Sequence, residues 1–100
     1  MTNPRPLGER ELNLINLYAY SEIGLEPISF YTKWDVSHEQ IALITSRSMS
    51  TVRRWFRTGE NYQSPRKCDL LHLALMDFLL EHFEEIPPQL LKKLRDRYQR

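Results

Sequence analysis

The period of the apolar positions changes several times along the chain, and each change marks an element. Behind a polar leader containing Pro4 and Pro6, the residues Leu12, Ile15, Leu17, Tyr18 and Ala19 predict a helix from about Gly8 to Ser21, closed near Gly24. Its Leu12-Asn13-Leu14 start alternates and also fits a strand. Pro27 opens a short helical segment, Ile28 to Trp34, whose Phe30, Tyr31 and Trp34 are placed to pack under the segments that follow. Ile41, Ala42 and Ile44 mark one face of a further helix, and Val52, Trp55 and Phe56 recur at i, i+3, i+4 in the next. From Cys68 to Glu85 the chain is apolar nearly all round, apart from a polar strip at Asp77 and Glu81. Pro87 and Pro88 then lead into a basic amphipathic helix, Gln89 to Arg100, with Leu90, Leu91, Leu94 and Tyr98 on one side and Lys92, Lys93, Arg95 and Arg97 elsewhere. The pattern predicts an all-α fold of five to six short helices in one domain over residues 1–100.

Residues 38–58 are the most informative, because they read as two short helices joined by a tight turn. Ser37-His38-Glu39-Gln40 is a capping box that starts the first helix at about His38. Ser48 caps the second, its oxygen accepting from a backbone N–H near Ser50 or Thr51, and Gly59 fits a left-handed stop after Thr58. The second helix is therefore expected to run about ten residues. Two amphipathic helices this close pack on each other, and the small Ala42 leaves room for them to cross.

The segment resembles the bacterial helix-turn-helix family, whose common pattern is apolar-Ala, three residues, Gly, apolar, Ser, any, Ser-Thr-Val, two residues, Trp. It stands here as Ile41-Ala42 followed by Ser46-Arg47-Ser48-Met49-Ser50-Thr51-Val52-Arg53-Arg54-Trp55. Three positions depart from the pattern: Ser46 replaces the turn glycine, Arg47 takes an apolar turn position, and Thr45 sits where leucine is common. A left-handed Ser46 would cost roughly 1 kcal/mol or more. The preceding Phe30-Tyr31, Trp34-Asp35-Val36-Ser37 and Glu39-Gln40-Ile41-Ala42 look like the lead-in of small cyanobacterial helix-turn-helix proteins, and Ser50-Thr51-Val52-Arg53-Arg54-Trp55 also resembles the DNA-binding end of transposases.

At about 100° per residue, Trp55 and Phe56 fall within roughly 60° of Val52, while Ser50, Arg53, Arg54 and Arg57 project on the opposite side. A recognition helix needs such a division, since its outward side chains reach base edges in the major groove while neighbouring cations meet phosphates. Arg53 or Arg54 suits a bidentate pair with guanine O6 and N7, and Arg57, one turn later, suits a phosphate. Met49 and Ser50 enter the groove first in this docking, and Arg47, Ser48 and Thr51 border it. Arg66 and Lys67 either touch the adjacent phosphate backbone or flank the next helix in solvent. The aromatics at 30, 31 and 34 are read as packing groups rather than base-stacking platforms, because only Lys33 lies among them.

The net charge is only +1, from fourteen basic and thirteen acidic residues. Its distribution is uneven: residues 44–68 hold Arg47, Arg53, Arg54, Arg57, Arg66 and Lys67 against Glu60 alone, whereas 69–85 hold Asp69, Asp77, Glu81, Glu84 and Glu85 with no lysine or arginine. Local potential steers association with a polyanion, and a nearly neutral monomer gains from dimerising or from a partner. The apolar helix 68–85 is either that dimer or partner interface or the buried centre of the monomer. The terminal helix either clasps a second subunit, lies on DNA or frays.

One hundred residues suffice for a small helical core without staples. Lone Cys68 allows no internal disulfide, the amino terminus does not resemble a signal peptide, and no apolar run approaches the roughly twenty residues that span a bilayer. A cytoplasmic protein with no membrane role is expected. Cys68 and His72 share a helix face, but a zinc site wants four convergent ligands and no second cysteine exists. With no phosphate loop, nucleophile elbow or acidic pair in an evident pocket, neither enzymatic activity nor a cofactor is expected.

The reading is a sequence-specific DNA-binding transcriptional regulator, a homodimer on double-stranded DNA, using Arg47, Ser48, Met49, Ser50, Thr51, Arg53, Arg54, Arg57, Arg66 and Lys67. The alternatives are a protein-interaction adaptor on the same scaffold, working through helix 68–85, and a transposition-related DNA-binding module. Fold alone does not choose among them.

Overall fold

A computed structural model describes residues 3–98 and is all-helical. Its elements are α1 (Glu9–Ala19), α2 (Pro27–Lys33), α3 (His38–Thr45), α4 (Met49–Trp55), a 3-10 turn (Gly59–Asn61), α5 (Lys67–Glu81), a second 3-10 turn (Phe83–Glu85) and α6 (Pro88–Tyr98). The strand alternative at Leu12-Asn13-Leu14 is excluded, as these residues lie within α1. No helix among the described residues is long and apolar enough to cross a membrane. Residues 99–100 of the expected terminal helix, and the side chains of Arg97 and Tyr98, lie outside what is described.

Local chemistry sets most boundaries. Ser37 Oγ accepts the Gln40 N–H at 3.1 Å while Gln40 Oε1 accepts the Ser37 N–H at 2.9 Å, so α3 opens with the expected capping box. Ser48 Oγ accepts the Thr51 N–H at 3.2 Å and opens α4. Proline at the first position of α2 and of α6 contributes a pre-set φ where no N–H donor is needed.

Two helices are shorter than their patterns. α4 closes at Trp55, with Phe56 as its C-cap, so it has seven residues rather than ten and Arg57 lies beyond it. Gly59, at φ 70°, starts the 3-10 turn instead of capping α4, and the Gln63 N–H returns to the Arg54 carbonyl at 3.2 Å. α5 stops at Glu81 and not Glu85. The chain leaves α5 at His82, passes through the Phe83–Glu85 turn, in which the Glu85 N–H reaches the His82 carbonyl at 2.8 Å, and is held extended at Ile86 by Pro87.

The core is small and central. Phe30 of α2, Ile41 and Ala42 of α3, Val52 and Trp55 of α4, and Leu73 of α5 are buried together, with Leu25, Ile44, Met76 and Leu80 among the side chains packed around them. Phe30 is thus placed as its spacing suggests. Tyr31 instead stays partly exposed at the edge, its ring 5.0 Å from His38 and 5.3 Å from Phe56, joining the ends of α2, α3 and α4. The loop ahead of α2 is laced to α5 by the Leu25 N–H on the Leu70 carbonyl at 3.0 Å. Gly24 permits that approach, since a Cβ there would lie 3.1 Å from Leu70 Cβ.

The polar strip of α5 faces α2 at the surface of the fold. Lys33 Nζ lies 2.8 Å from both Asp77 Oδ1 and Glu81 Oε1, and the Trp34 indole N–H donates to Asp77 Oδ1 at 2.9 Å. The hydrogen bonds from Lys33 and Trp34 hold the Asp77 carboxyl below the usual carboxylate range, and those from Asp77 and Glu81 raise the Lys33 ammonium. Using its acids as the dock for α2 leaves α5 with Leu75 and Phe78 exposed; only Asp69 and Leu73 of this helix are fully buried. Central burial of α5 is therefore not what the fold provides.

Trp55 is 6 % exposed, and its indole N–H has no hydrogen-bond partner among the described residues. Its contribution is packing alone. Trp55→Ala is expected to cost roughly 3–5 kcal/mol in denaturant unfolding, and Trp55→Phe far less, since no hydrogen bond is lost; equal losses would show that the indole N–H matters.

Candidate nucleic-acid interface

The turn between α3 and α4 is built on one carbonyl. Ala42 O accepts both the Ser46 N–H and, at 3.0 Å, the Arg47 N–H, with Ser46 left-handed at φ 58°, ψ 37°. This is a Schellman-type helix end, normally supplied with glycine at the left-handed position. Serine adopts the same backbone at a cost of roughly 1 kcal/mol, so the missing glycine does not alter the turn. Thr45, where leucine is common, is buried because its hydroxyl donates to the Ile41 carbonyl at 2.8 Å.

The residue after Ser46 is the second departure from the family pattern, and it has its own solution. In a Schellman end an apolar side chain at that place packs back on the helix. Here Arg47 extends to α5, with Nε 3.0 Å from Asp69 Oδ1 and Nη2 3.3 Å from Asp69 Oδ2. Asp69 is only 1 % exposed, and its Oδ2 also accepts the Arg66 N–H at 2.9 Å, capping α5. The hydrogen bonds to Asp69 raise the Arg47 pKa further. Arg47, expected at the border of the DNA-contacting set, is thus tied to α5 by its guanidinium, with a quarter of its side chain exposed.

The remaining predicted residues divide by position. Ser50, Arg53 and Arg54 are exposed on α4, and Arg57 is exposed just past its end. None of the three guanidinium groups meets a carboxylate among the described residues. Ser48 Oγ lies 3.1 Å from Ser50 Oγ and donates to Thr51 Oγ1 at 3.0 Å, so these hydroxyls form a small network at the start of the helix. Met49, expected to lead into a groove, is instead half-buried and packs against the core. Arg66 and Lys67 are exposed at the start of α5, where Lys67 borders a crevice shared with Tyr18, Ile23 and Gly24.

Glu60, three residues after Arg57, is exposed and forms no ion pair with the arginines among the described residues, and the acids of α5 are engaged elsewhere. Asp69 is occupied by Arg47, and Asp77 and Glu81 by Lys33. What remains is a surface of three unpaired guanidinium groups on and beside a short helix fixed from beneath by Val52 and Trp55. Such a surface suits phosphate oxygens and the paired acceptors of a guanine edge. Among the described residues no three His, Cys, Asp or Glu side chains converge as metal ligands.

Periodicity had no means of finding Asp69, the partner that turns Arg47 inward, although one signal was available. Asp69 is the third helical residue of α5, the position from which an acid reaches back to cap. Comparisons with protein families, curated proteins and solved structures find no match to this chain.

Asp69→Ala is expected to lower unfolding free energy by about 1.5–3 kcal/mol through loss of its charged hydrogen bonds. Adding Arg47→Leu, which returns an apolar side chain to the turn, should recover part of that loss. An unchanged melting curve for Asp69→Ala would show that the ion pair does not hold the turn.

Proposed function

We propose that this protein is a sequence-specific DNA-binding regulator of transcription that sets α4 into the major groove of double-stranded DNA. The observation that supports this reading is the outward surface of Ser50, Arg53, Arg54 and Arg57, exposed and free of acidic partners, on a helix whose other face is core. The acids of α5 pair with Lys33 and Arg47 and with none of these arginines.

Each group has a distinct task in the proposed complex. Arg53 and Arg54, on α4 itself, read base edges, with guanine the preferred partner for a bidentate guanidinium. Arg57, on the turn after α4, neutralises a phosphate, and Ser48, Ser50 and Thr51 offer hydroxyls at the leading end of the helix. Arg47 acts indirectly, by fixing the turn that aims α4. Because the chain has a net charge of only +1, non-specific affinity is low and the arginine surface supplies most of the salt-dependent binding.

The test is selection from a pool of random duplex DNA, followed by titration of the enriched duplex at two salt concentrations. Arg53→Ala or Arg54→Ala should cost about 1–3 kcal/mol on the selected site and relax its specificity, whereas Arg57→Ala should weaken all sequences alike and reduce the salt slope by about one. No enriched sequence, or affinity unaffected by all three substitutions in a folded protein, would overturn the proposal.

A further inference from the structure

The single chain exposes too much surface for its size. A compact 12.0 kDa monomer has an accessible area of about 6,000 Å², whereas this chain has 8867 Å². Its radius of gyration is 16.8 Å, against about 13 Å for a compact 100-residue domain. Part of the excess lies on two apolar surfaces at opposite ends of α5.

The first is α1. It has eleven residues, none of them buried, with Leu14 64 % and Leu17 63 % exposed and Leu12, Ile15 and Tyr18 also open. A helix of that length is marginal in water without packing on an apolar face. The second is a groove of ≈ 240 Å³ where the end of α5 meets the start of α6, lined by Phe78, Leu79, Ile86 and Leu90. α1 leaves the core beside Leu70, near the other end of α5, so within one chain the helix and the groove stay apart.

We infer that a second copy of this chain covers both surfaces, with α1 of each protomer seated in the α5–α6 groove of the other. The arrangement is reciprocal, so one two-fold axis buries two helices and two grooves. The net charges are opposite: the first turn of α1 carries Glu9 and Glu11 against Arg10, which pairs with Glu11 at 2.7 Å, while α6 carries Lys92, Lys93 and Arg95 against Asp96, with Glu85 in the groove lining. The size also fits. The excess of about 2,900 Å² per chain over a compact monomer exceeds the roughly 800 Å² per partner that a stable interface requires. A helix laid in an apolar groove is a common mode of such recognition. The inference does not depend on the DNA reading, because the surfaces lie outside α4 and the test uses no DNA.

The test is sedimentation of the full chain at micromolar concentration, alone and as variants whose helical content is checked by circular dichroism. The wild type should be a dimer. Leu17→Asp in α1 and Phe78→Asp in the groove should each weaken dimerisation at least tenfold while leaving cooperative unfolding in place. Mixing the two variants should restore a heterodimer, because the intact α1 of the Phe78→Asp chain still fits the intact groove of the Leu17→Asp chain. A monomeric wild type overturns the inference, and so does a mixture of the two folded variants that stays monomeric, or a Phe78→Asp chain that still dimerises, as direct pairing of α1 with α1 would give.

Discussion

The ion pair between Arg47 and buried Asp69 is the constraint on which the rest of the arrangement depends. It joins the turn between α3 and α4 to the first turn of α5, two segments with no other ion pair between them among the described residues. Ser46 bends the chain left-handed, Ala42 O takes the two freed N–H groups, and the next side chain must be anchored for that bend to have one geometry. An apolar residue would do this by packing, whereas arginine does it by a two-pronged bond to a carboxylate that also caps α5. The bond therefore sets the direction of α4 relative to the core.

The same economy of charge runs through the fold. Asp69, Asp77 and Glu81 of α5 are taken up by Arg47 and Lys33, one fixing the turn and the other docking α2. Arg53, Arg54 and Arg57 are left without acidic partners, which is what the proposed contact with DNA requires. A near-neutral chain can in this way present a basic surface. Spending the polar side of α5 on internal contacts leaves its apolar remainder outside, at Leu75 and Phe78.

The elements were largely legible in the sequence because helix periodicity and capping are local. Ser37 with Gln40, Ser48 with Thr51, and Val52 with Trp55 behave as their spacing indicates. Helix ends were less legible: α4 stops at Trp55 because the following residues turn back on Arg54, and α5 gives way at His82 to the Phe83–Glu85 turn although the apolar pattern runs on. Long-range choices were not legible at all. The pattern places Arg47 beside α4 and Met49 at its leading edge, yet Arg47 has a buried carboxylate twenty-two residues away and Met49 packs on the core. Nor does an apolar count distinguish a buried α5 from one that docks by its acids.

Nuclear magnetic resonance of the arginine Nε–H groups, with and without a selected duplex, tests the account most directly. Arg47 should give a protected resonance in the free protein that barely moves on adding DNA, because Asp69 already holds its Nε. Arg53 and Arg54 should exchange rapidly in the free protein and become protected only with the duplex. An Arg47 signal that appears or shifts with DNA, or Arg53 and Arg54 signals indifferent to it, would contradict the division between a structural arginine and the outward ones.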